Sequence, residues 1–275
     1  MSIPTPLTLG AAADALATRC VDAVTSIISG LFDRVDEWRT AILELESSHP
    51  APSKATIDAV IADLVVEPLS APDAAMIGGG FVARPGFVVD SHWHLSWWLG
   101  ESNGFGVDRR SGSRTTRRLE ADTNPASESF RDYTALEWWR VPEETGRRHI
   151  TGPYVDYLCT DEYTLTLTTP VRAHGQLLGV VGVDIYVEQM ESMLMPHLTA
   201  VGSAATVVNA SGRVVVSTDP HRAAGSILRI EGLSEALRTR FSPNAAEPHL
   251  GFTALPDGGA VHDCPATTLS LVVGP

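Results

Sequence analysis

The sequence predicts an α+β protein, in which one long N-terminal helix is followed by two modules built on antiparallel sheets. Three observations predict this class. Apolar residues near the N-terminus recur at intervals of three and four, as they do on a helix. From Gly78 onward the pattern changes to short runs rich in β-branched residues. A strand pair with a glycine-containing turn then occurs once in each half of the chain, which indicates two related modules.

The first helix is predicted over about residues 9–48. At 1.5 Å per residue it would extend for roughly 55–60 Å, which exceeds the width of one small domain. Its apolar residues form an unbroken heptad seam, which fits a helix packed along its own core or a helix paired with a second copy in a homodimer. The seam consists of Val21, Val24, Ile28, Leu31, Val35, Trp38, Ile42 and Leu45.

Proline and serine mark the end of this helix and the start of another. Pro50 and Pro52 interrupt the helical pattern, and Ser53 is placed to cap a second helix. A loop is predicted over 67–75. The predicted segments are 1–76 for the two helices, 77–197 for the first module with the ligand pocket, and 198–275 for a second, smaller module.

Two hairpins carry the module pattern. "YTLTLTTPVRAHGQLLGVVGVDIYV" (163–187) is predicted to turn at His174-Gly175. "SAATVVNASGRVVVSTDP" (203–220) is predicted to turn at Ser211-Gly212. Each turn joins two apolar strands, so each hairpin is expected to form the centre of a sheet.

Charge and composition exclude several classes of partner. The 275 residues carry a formal net charge of −13, which argues against nucleic acid as a partner. The arginine-rich stretch 108–118 is interpreted as a solvated hairpin or loop. Three cysteines, far apart, indicate no disulfide framework. No secretory signal and no membrane span are recognised, so the sequence predicts a cytoplasmic protein.

The stretch "SHWHLSWWLG" (91–100) is open to more than one interpretation. His92 and His94 alternate, which on a strand would place both on one face, as a metal site requires. The other histidines are scattered and supply no third ligand in a recognisable pattern. A strand in a hydrophobic core is the favoured interpretation, with Trp97 or Trp98 reaching a pocket.

Signatures of catalysis and of cofactor binding are missing from the sequence. It has no GxSxG, no Walker A motif and no GxGxxG between a strand and a helix. The run "VHDC" puts His262, Asp263 and Cys264 in succession, whereas a triad needs convergence in space. The protein is therefore predicted not to be an enzyme, and no cofactor or metal is predicted.

Four short motifs resemble the double-Cache family of sensor domains, whose modules are PAS-like. They are "FRDYTALEWW" (130–139), "GPYVD" (152–156), "TTPV" (168–171) and "GVVGVDI" (179–185). The long first helix and the second hairpin fit the same architecture, so the resemblance covers most of the chain. It implies two Cache modules and a small-molecule pocket in the first.

The resemblance also implies the residues that hold the ligand. Many members of the family bind amino acids or amines, with the amino group at positions that correspond here to Tyr154, Asp156 and Asp184. The aromatic pair of the family corresponds to Trp138 and Trp139. Two carboxylates and a phenol around an ammonium group would give charge-assisted hydrogen bonds of roughly 1.5–3 kcal/mol each. Tyr133 is a further pocket candidate.

One departure from the family pattern bears on ligand class. Where amino-acid receptors of the family carry an arginine that grips the carboxylate, this chain has Leu136. The sequence therefore predicts a sensor for a small cationic amine or quaternary ammonium compound, with an amino acid as a further candidate. Any signal would pass to a separate effector protein. The alternatives are a metal-dependent enzyme that uses His92 and His94, a Cache sensor that binds a carboxylate through Arg131, and a module with an empty pocket.

Overall fold

The computed structural model describes residues 6–105, 115–241 and 251–274, and its elements match the predicted α+β class. The helices are α1 (Pro6–Ser48), α2 (Lys54–Ser70), α3 (Glu137–Thr145), α4 (Val187–Thr199) and α5 (Leu233–Arg240). The strands are β1 (Gly78–Ala83), β2 (Leu95–Leu99), β3 (Arg117–Arg118), β4 (His149–Val155), β5 (Tyr163–Ala173), β6 (Gln176–Tyr186), β7 (Ala205–Asn209), β8 (Val214–Ser217), β9 (Phe252–Ala254), β10 (Ala260–Asp263) and β11 (Leu269–Val273).

The heptad seam of α1 is buried within the chain itself. Val24, Ile28 and Val35 are fully buried, and a side chain at Gly79 of β1 would begin 2.8 Å from the ring of Trp38. An apolar stripe that is already covered needs no second copy of the helix to bury it. The predicted homodimer through α1 is therefore not supported.

The same helix bears on the membrane question. Within Asp14–Ser48, α1 is long and apolar enough to cross a membrane by length and composition, so the expectation that no segment could do so was wrong. The criterion is weak evidence for a span, because the core helix of a soluble protein meets it as well.

The second helix begins as the sequence predicts and ends later. The Ser53 hydroxyl accepts the backbone N–H of Thr56 at 3.2 Å, which caps the first turn of α2. The helix then continues through Pro68 to Ser70, where the sequence predicted a loop. Its buried stripe is Ile57, Ile61, Val65 and Leu69.

The first sheet has six antiparallel strands in the order β3-β2-β1-β6-β5-β4. The β5–β6 turn lies at His174 and Gly175, as predicted. Side chains alternate between two faces of this sheet. One face carries Gly79, which packs under Trp38 of α1, and is here called the helix face. The opposite face, called the cavity face, carries Asp184 and its strand neighbour Thr166.

The second sheet has five antiparallel strands in the order β8-β7-β11-β10-β9. Its predicted turn is present at Gly212, which has a φ of 77°. Side chains of α5 cover an apolar cluster on this sheet. The buried members of that cluster are Val208, Leu233, Leu237, Leu255, Val261 and Val272.

Contacts group the chain into two compact units. One consists of residues 31–186, and the other of residues 1–30 together with 187–275. The predicted helical segment, 1–76, is thus not a unit of its own, because its residues contribute to both. Of the arginine-rich stretch, 108–114 lies outside the described residues, and Arg117–Arg118 form the edge strand β3.

Candidate functional site

A cavity lies on the cavity face of the first sheet, within the unit formed by residues 31–186. Its volume is about 20 Å³, counted as the space open to the centre of a water-sized sphere. This is enough for one compact ion or a water molecule, since a single water needs about 10–15 Å³ on this measure. The lining residues are Val82, Leu95, Trp97, Leu119, Trp138, Tyr154, Asp156, Leu158, Cys159, Thr166 and Asp184.

Glycines let neighbouring groups approach this part of the sheet closely. Gly78 is paired with Asp184, and a side chain at Gly78 would begin 3.6 Å from the Asp184 Oδ2 atom. Gly80 and Gly182 form the next pair toward Val82, and Trp97 lies opposite Gly80. Three positions on one face therefore contribute backbone alone, and at Gly78 this lets the Trp97 indole lie close to the strand beside Asp184.

Asp184 is held at the centre of the cavity floor. It belongs to the apolar strand β6 and is 1% exposed. The hydroxyl of Thr166 donates to its Oδ1 at 2.7 Å. Burial raises the pKa of Asp184 well above the ordinary value, and the nearby carboxylate of Asp156 raises it further. The pair thus holds fewer than two negative charges near neutrality unless a cation joins it.

Asp156 is positioned by the tight turn that follows β4. Its Oδ1 accepts the backbone N–H of Leu158 at 2.8 Å, and its own carbonyl accepts the N–H of Asp161 at 2.7 Å. These bonds fix the loop so that the side chain points back into the cavity, where it is 7% exposed.

A cysteine joins the two carboxylates. The thiol of Cys159 lies 2.8 Å from Asp156 Oδ2 and 3.1 Å from Asp184 Oδ2. Burial, together with the two carboxylates, raises the pKa of this thiol well above its ordinary value, so it is a neutral donor. One S–H carries a single hydrogen and cannot donate fully to two carboxylate oxygens, so the carboxylates can accept further hydrogen bonds.

Tyr154 extends the same network. Its hydroxyl lies 2.8 Å from the Thr166 hydroxyl, which already donates to Asp184, so the tyrosine is the donor. Burial raises the pKa of Tyr154 well above 10, with the two aspartates adding to the effect. The phenol stays protonated, and the Thr166 hydroxyl links it to the carboxylate of Asp184.

Of the aromatic pair, one tryptophan lines the cavity. Trp138 contributes to the wall, and the Thr168 hydroxyl donates to its carbonyl at 2.9 Å, which fixes the start of α3 against β5. Trp139 is 1% exposed and belongs to the surrounding core instead. Adjacent residues on a helix point in different directions, which is the reason that only one of them reaches the wall.

Tyr133 does not line this cavity. Its hydroxyl donates to the carbonyl of Ala83 at 2.6 Å, and its ring stacks on Trp138 at a centroid distance of 6.4 Å. It therefore supports the tryptophan that forms the wall, and it lines a second cavity beside the first.

Of the two tryptophans that the sequence offered for the pocket, Trp97 lines the cavity and Trp98 does not. Its indole Nε1 is buried and has no hydrogen-bond partner among the described residues. That atom lies 3.0 Å from the point where a side chain at Gly78 would begin, next to Asp184. An unpaired donor therefore stands beside a carboxylate at the cavity floor.

The two histidines of the stretch 91–100, His92 and His94, do not form a metal site. β2 begins at Leu95, so His92 and His94 precede the strand instead of alternating within it. His92 is exposed and packs edge-on against Trp93, whereas the ring of His94 is buried with its Nε2 3.0 Å from Asp58. The two side chains have separate partners, and the metal-dependent enzyme that would use them loses its geometric basis.

Arg131 and Leu136 lie away from the carboxylate cluster. Arg131 is exposed, and its guanidinium donates to the carbonyls of Glu128 and Phe130. It lines the second cavity. Leu136 caps α3 and is 37% exposed. A carboxylate ligand held by Arg131 would thus not share the cavity of the two aspartates.

Sequence reasoning missed Cys159 and Thr166. A lone cysteine and a threonine in a β-branched strand have no local signal of their own. The register of β5 against β6, which pairs Thr166 with Asp184, would have identified the threonine once the hairpin was aligned from its turn.

Comparisons with known proteins agree with this architecture. Residues 113–192 match the family model of the methyl-accepting chemotaxis protein-like, first PDC sensor domain. Methyl-accepting chemotaxis protein X is similar over 97% of this chain and 98% of its own, with 18% identity and a TM-score of 0.57. The extracellular domain of the histidine kinase mmHK1S-Z3 is similar over 98% and 94%, with 15% identity and a TM-score of 0.60.

A third structure carries a ligand. It is the ligand-binding domain of the Pseudomonas fluorescens chemoreceptor CtaA in complex with L-leucine, similar over 98% of this chain and 96% of its own. The identity is 16% and the TM-score 0.55. The chain has the double-Cache fold.

The predicted family resemblance is thereby confirmed for the fold, and the first module contains a segment with the sequence of a PDC sensor domain. The matched model describes a sensor and not an enzyme, in agreement with the prediction. The predicted cytoplasmic location is not supported, since a similar structure is an extracellular domain and α1 could cross a membrane by length and composition.

Proposed function

We propose that this double-Cache protein is a sensor that binds a small cationic amine in the cavity of its first module. One observation carries the proposal. Two buried carboxylates, Asp156 and Asp184, share a cavity whose lining contains no basic side chain among the described residues.

Buried carboxylates without a counter-charge are costly, because a low-dielectric interior disfavours the ionised form. Here the raised pKa of Asp184 is the consequence of that cost in the free protein. An ammonium group that enters the cavity supplies both the charge and the donors that the single Cys159 thiol cannot supply. Hydrogen bonds between charged groups are worth about 1.5–3 kcal/mol each.

The walls suit the same ligand. The rings of Trp97, Trp138 and Tyr154 line the cavity, and an aromatic face attracts a cation by about 0.5–2 kcal/mol depending on desolvation. The small space favours a compact head group such as methylammonium over a bulky one. A longer amine would have to displace a side chain such as Leu158, which belongs to the turn after β4.

The proposal is tested by a thermal-shift screen of metal-free protein against methylammonium, tetramethylammonium, amino acids and simple carboxylates. A ligand at about 100 times its dissociation constant stabilises the folded state by about 2.7 kcal/mol. We expect amines to raise the Tm of the wild type and to have no effect on Asp184→Asn or Asp156→Asn.

The matched control is Asp161→Asn. Asp161 lies in the same loop and carries the same charge, but it is exposed and does not line the cavity. This variant should respond to amines as the wild type does. Stabilisation by carboxylates alone, or equal responses of all variants to amines, would refute the cationic ligand.

A second candidate ligand is an amino acid or an amino alcohol. It is favoured by the unpaired Trp97 Nε1–H beside Asp184, since a cation alone offers no acceptor for that donor. The likeness to CtaA, which binds L-leucine, also supports it. Ethanolamine and glycine should then bind more tightly than ethylamine, and Trp97→Phe should remove that preference.

A further inference from the structure

The cluster formed by Asp156, Cys159 and Asp184 has the chemistry of a metal site as well as that of an ammonium site. Its ligand atoms are one thiol sulfur and carboxylate oxygens from two residues, all within 4.8 Å of one another, and the three residues are buried. We infer that these three side chains bind a thiophilic divalent cation such as Zn²⁺, with one open coordination position facing the cavity.

The donor set favours zinc or cadmium over magnesium or calcium. A thiolate is a soft ligand that hard cations avoid, and two carboxylates with one thiolate give zinc three of the four ligands of a tetrahedral site. Zn–S bonds of about 2.3 Å and Zn–O bonds of about 2.0–2.2 Å place sulfur and oxygen about 3.5 Å apart. The observed separations of 2.8 and 3.1 Å are shorter, so the cluster has to open by about 0.4–0.7 Å.

An independent observation points to a ligand at the fourth position. The Nε1 of Trp97 is buried, has no partner among the described residues and lies beside Asp184 at the cavity floor. It cannot bind a metal, because an indole N–H is only a donor. It can donate to a water molecule bound by the metal, which is the oxygen that an open zinc position carries.

Binding of the metal replaces protons. The Cys159 thiol loses its proton as the metal–sulfur bond forms, and any proton shared by the two carboxylates is released with it. The divalent charge then offsets two of the three negative charges carried by the two carboxylates and the thiolate. The cation occupies the carboxylates that an ammonium group would use, so the two ligands compete.

This inference concerns the same cavity as the proposed function but depends on the thiol. The test uses the full chain, freed of metal with a chelator, and titrates it calorimetrically with ZnCl₂, CdCl₂ and MgCl₂. We expect one Zn²⁺ or Cd²⁺ per chain, no binding of Mg²⁺, and a cadmium–thiolate absorption band in the ultraviolet. Cys159→Ser should bind Zn²⁺ at least 100-fold more weakly and lose the band.

Circular dichroism and thermal unfolding check that the serine variant is folded. If it is not, the double variant Cys20→Ser with Cys264→Ser takes its place, since Cys159 is then the only thiol, and it should keep the cadmium–thiolate band and bind Zn²⁺ as the wild type does. Zinc binding that is unchanged in the folded Cys159→Ser variant, loss of the band from a folded double variant, or no zinc binding to the wild type would overturn the inference. Amine binding is measured separately on the metal-free wild type, so failure of one ligand is distinguishable from failure of the other.

Discussion

Buried or partly buried carboxylates lie on both faces of the first sheet, one on the helix face and two on the cavity face, and their partners differ. On the helix face, the carboxylate of Asp58 in α2 accepts a hydrogen bond from the Ser96 hydroxyl at 2.7 Å. Its oxygens also lie 3.0 Å from the His94 Nε2 atom and 3.2 Å from the Arg118 guanidinium. On the cavity face, Asp156 and Asp184 meet only hydroxyl, thiol and backbone donors among the described residues.

The difference separates a structural charge from one available to a ligand. Burial tends to raise the pKa of Asp58, but the hydrogen bonds from His94 and Ser96 and the nearby positive charges outweigh it, and the pKa is lowered. Among the described residues no positively charged side chain lines the cavity around Asp184, and burial together with a second carboxylate raises the pKa of Asp184. The missing basic partner, more than the presence of buried acids, is what distinguishes the proposed binding site from the structural carboxylate.

The largest expected effect concerns the helix-face cluster. Asp58→Ala should lower the free energy of unfolding by about 3 kcal/mol, because it leaves the His94, Ser96 and Arg118 donors without their shared acceptor. Chemical denaturation measures the change. Asp63→Ala is the control, as an exposed aspartate on the same helix, and should change stability by less than about 0.5 kcal/mol. Equal effects at both positions would show that the contacts of Asp58 with His94, Ser96 and Arg118 do not stabilise the fold.

The second effect is a pH dependence of amine affinity. Burial and the neighbouring Asp156 raise the pKa of Asp184 to about 7, so the carboxylate is protonated below that pH and charged above it. Methylammonium, which keeps its own charge across this range, should bind about 100-fold more weakly at about pH 5 than at about pH 8. Calorimetry at several pH values tests this, and a flat profile in the wild type would contradict it.

The third effect is a gain in stability. Because the pKa of Asp184 is raised on folding from 3.8 to about 7, the native state holds its proton more tightly and loses stability as the pH rises through this range. Asp184→Asn removes the charge, so the variant should be more stable than the ligand-free wild type by about 2 kcal/mol at about pH 8. Denaturant unfolding at about pH 4 and pH 8 should show the gain only at the higher pH. A variant less stable at both would show that the Thr166 and Cys159 hydrogen bonds outweigh the charge.

The smallest effect concerns the aromatic pair. Trp138→Leu should weaken amine binding about fivefold, or about 1 kcal/mol, through loss of the cation–π contact. Trp139→Phe is the control, since Trp139 lies in the core and not on the cavity wall, and it should lower Tm without changing the dissociation constant. Calorimetric dissociation constants for both variants decide between the two positions.

The fold followed from local patterns. The heptad seam predicted α1, the serine cap predicted the start of α2, and glycine turns predicted the two central hairpins, because each depends on neighbours in sequence. The four quoted motifs predicted the double-Cache fold as well. The predicted loop at 67–75 was partly wrong because packing on the sheet carries α2 through Pro68.

The candidate site depends on contacts between residues that are distant in the sequence. The resemblance singled out Asp156 and Asp184, but only the tertiary structure shows that Gly78 lies beside Asp184 and that Cys159 bridges the carboxylates. It also separates Trp138 from Trp139 and removes His92 and His94 from consideration as a pair. Sequence by itself determined the helices, the hairpins and the acidic residues, because periodicity and turn chemistry are local. The tertiary structure alone decided which charges lack a partner, because burial and the absence of a counter-ion depend on residues far apart in the chain.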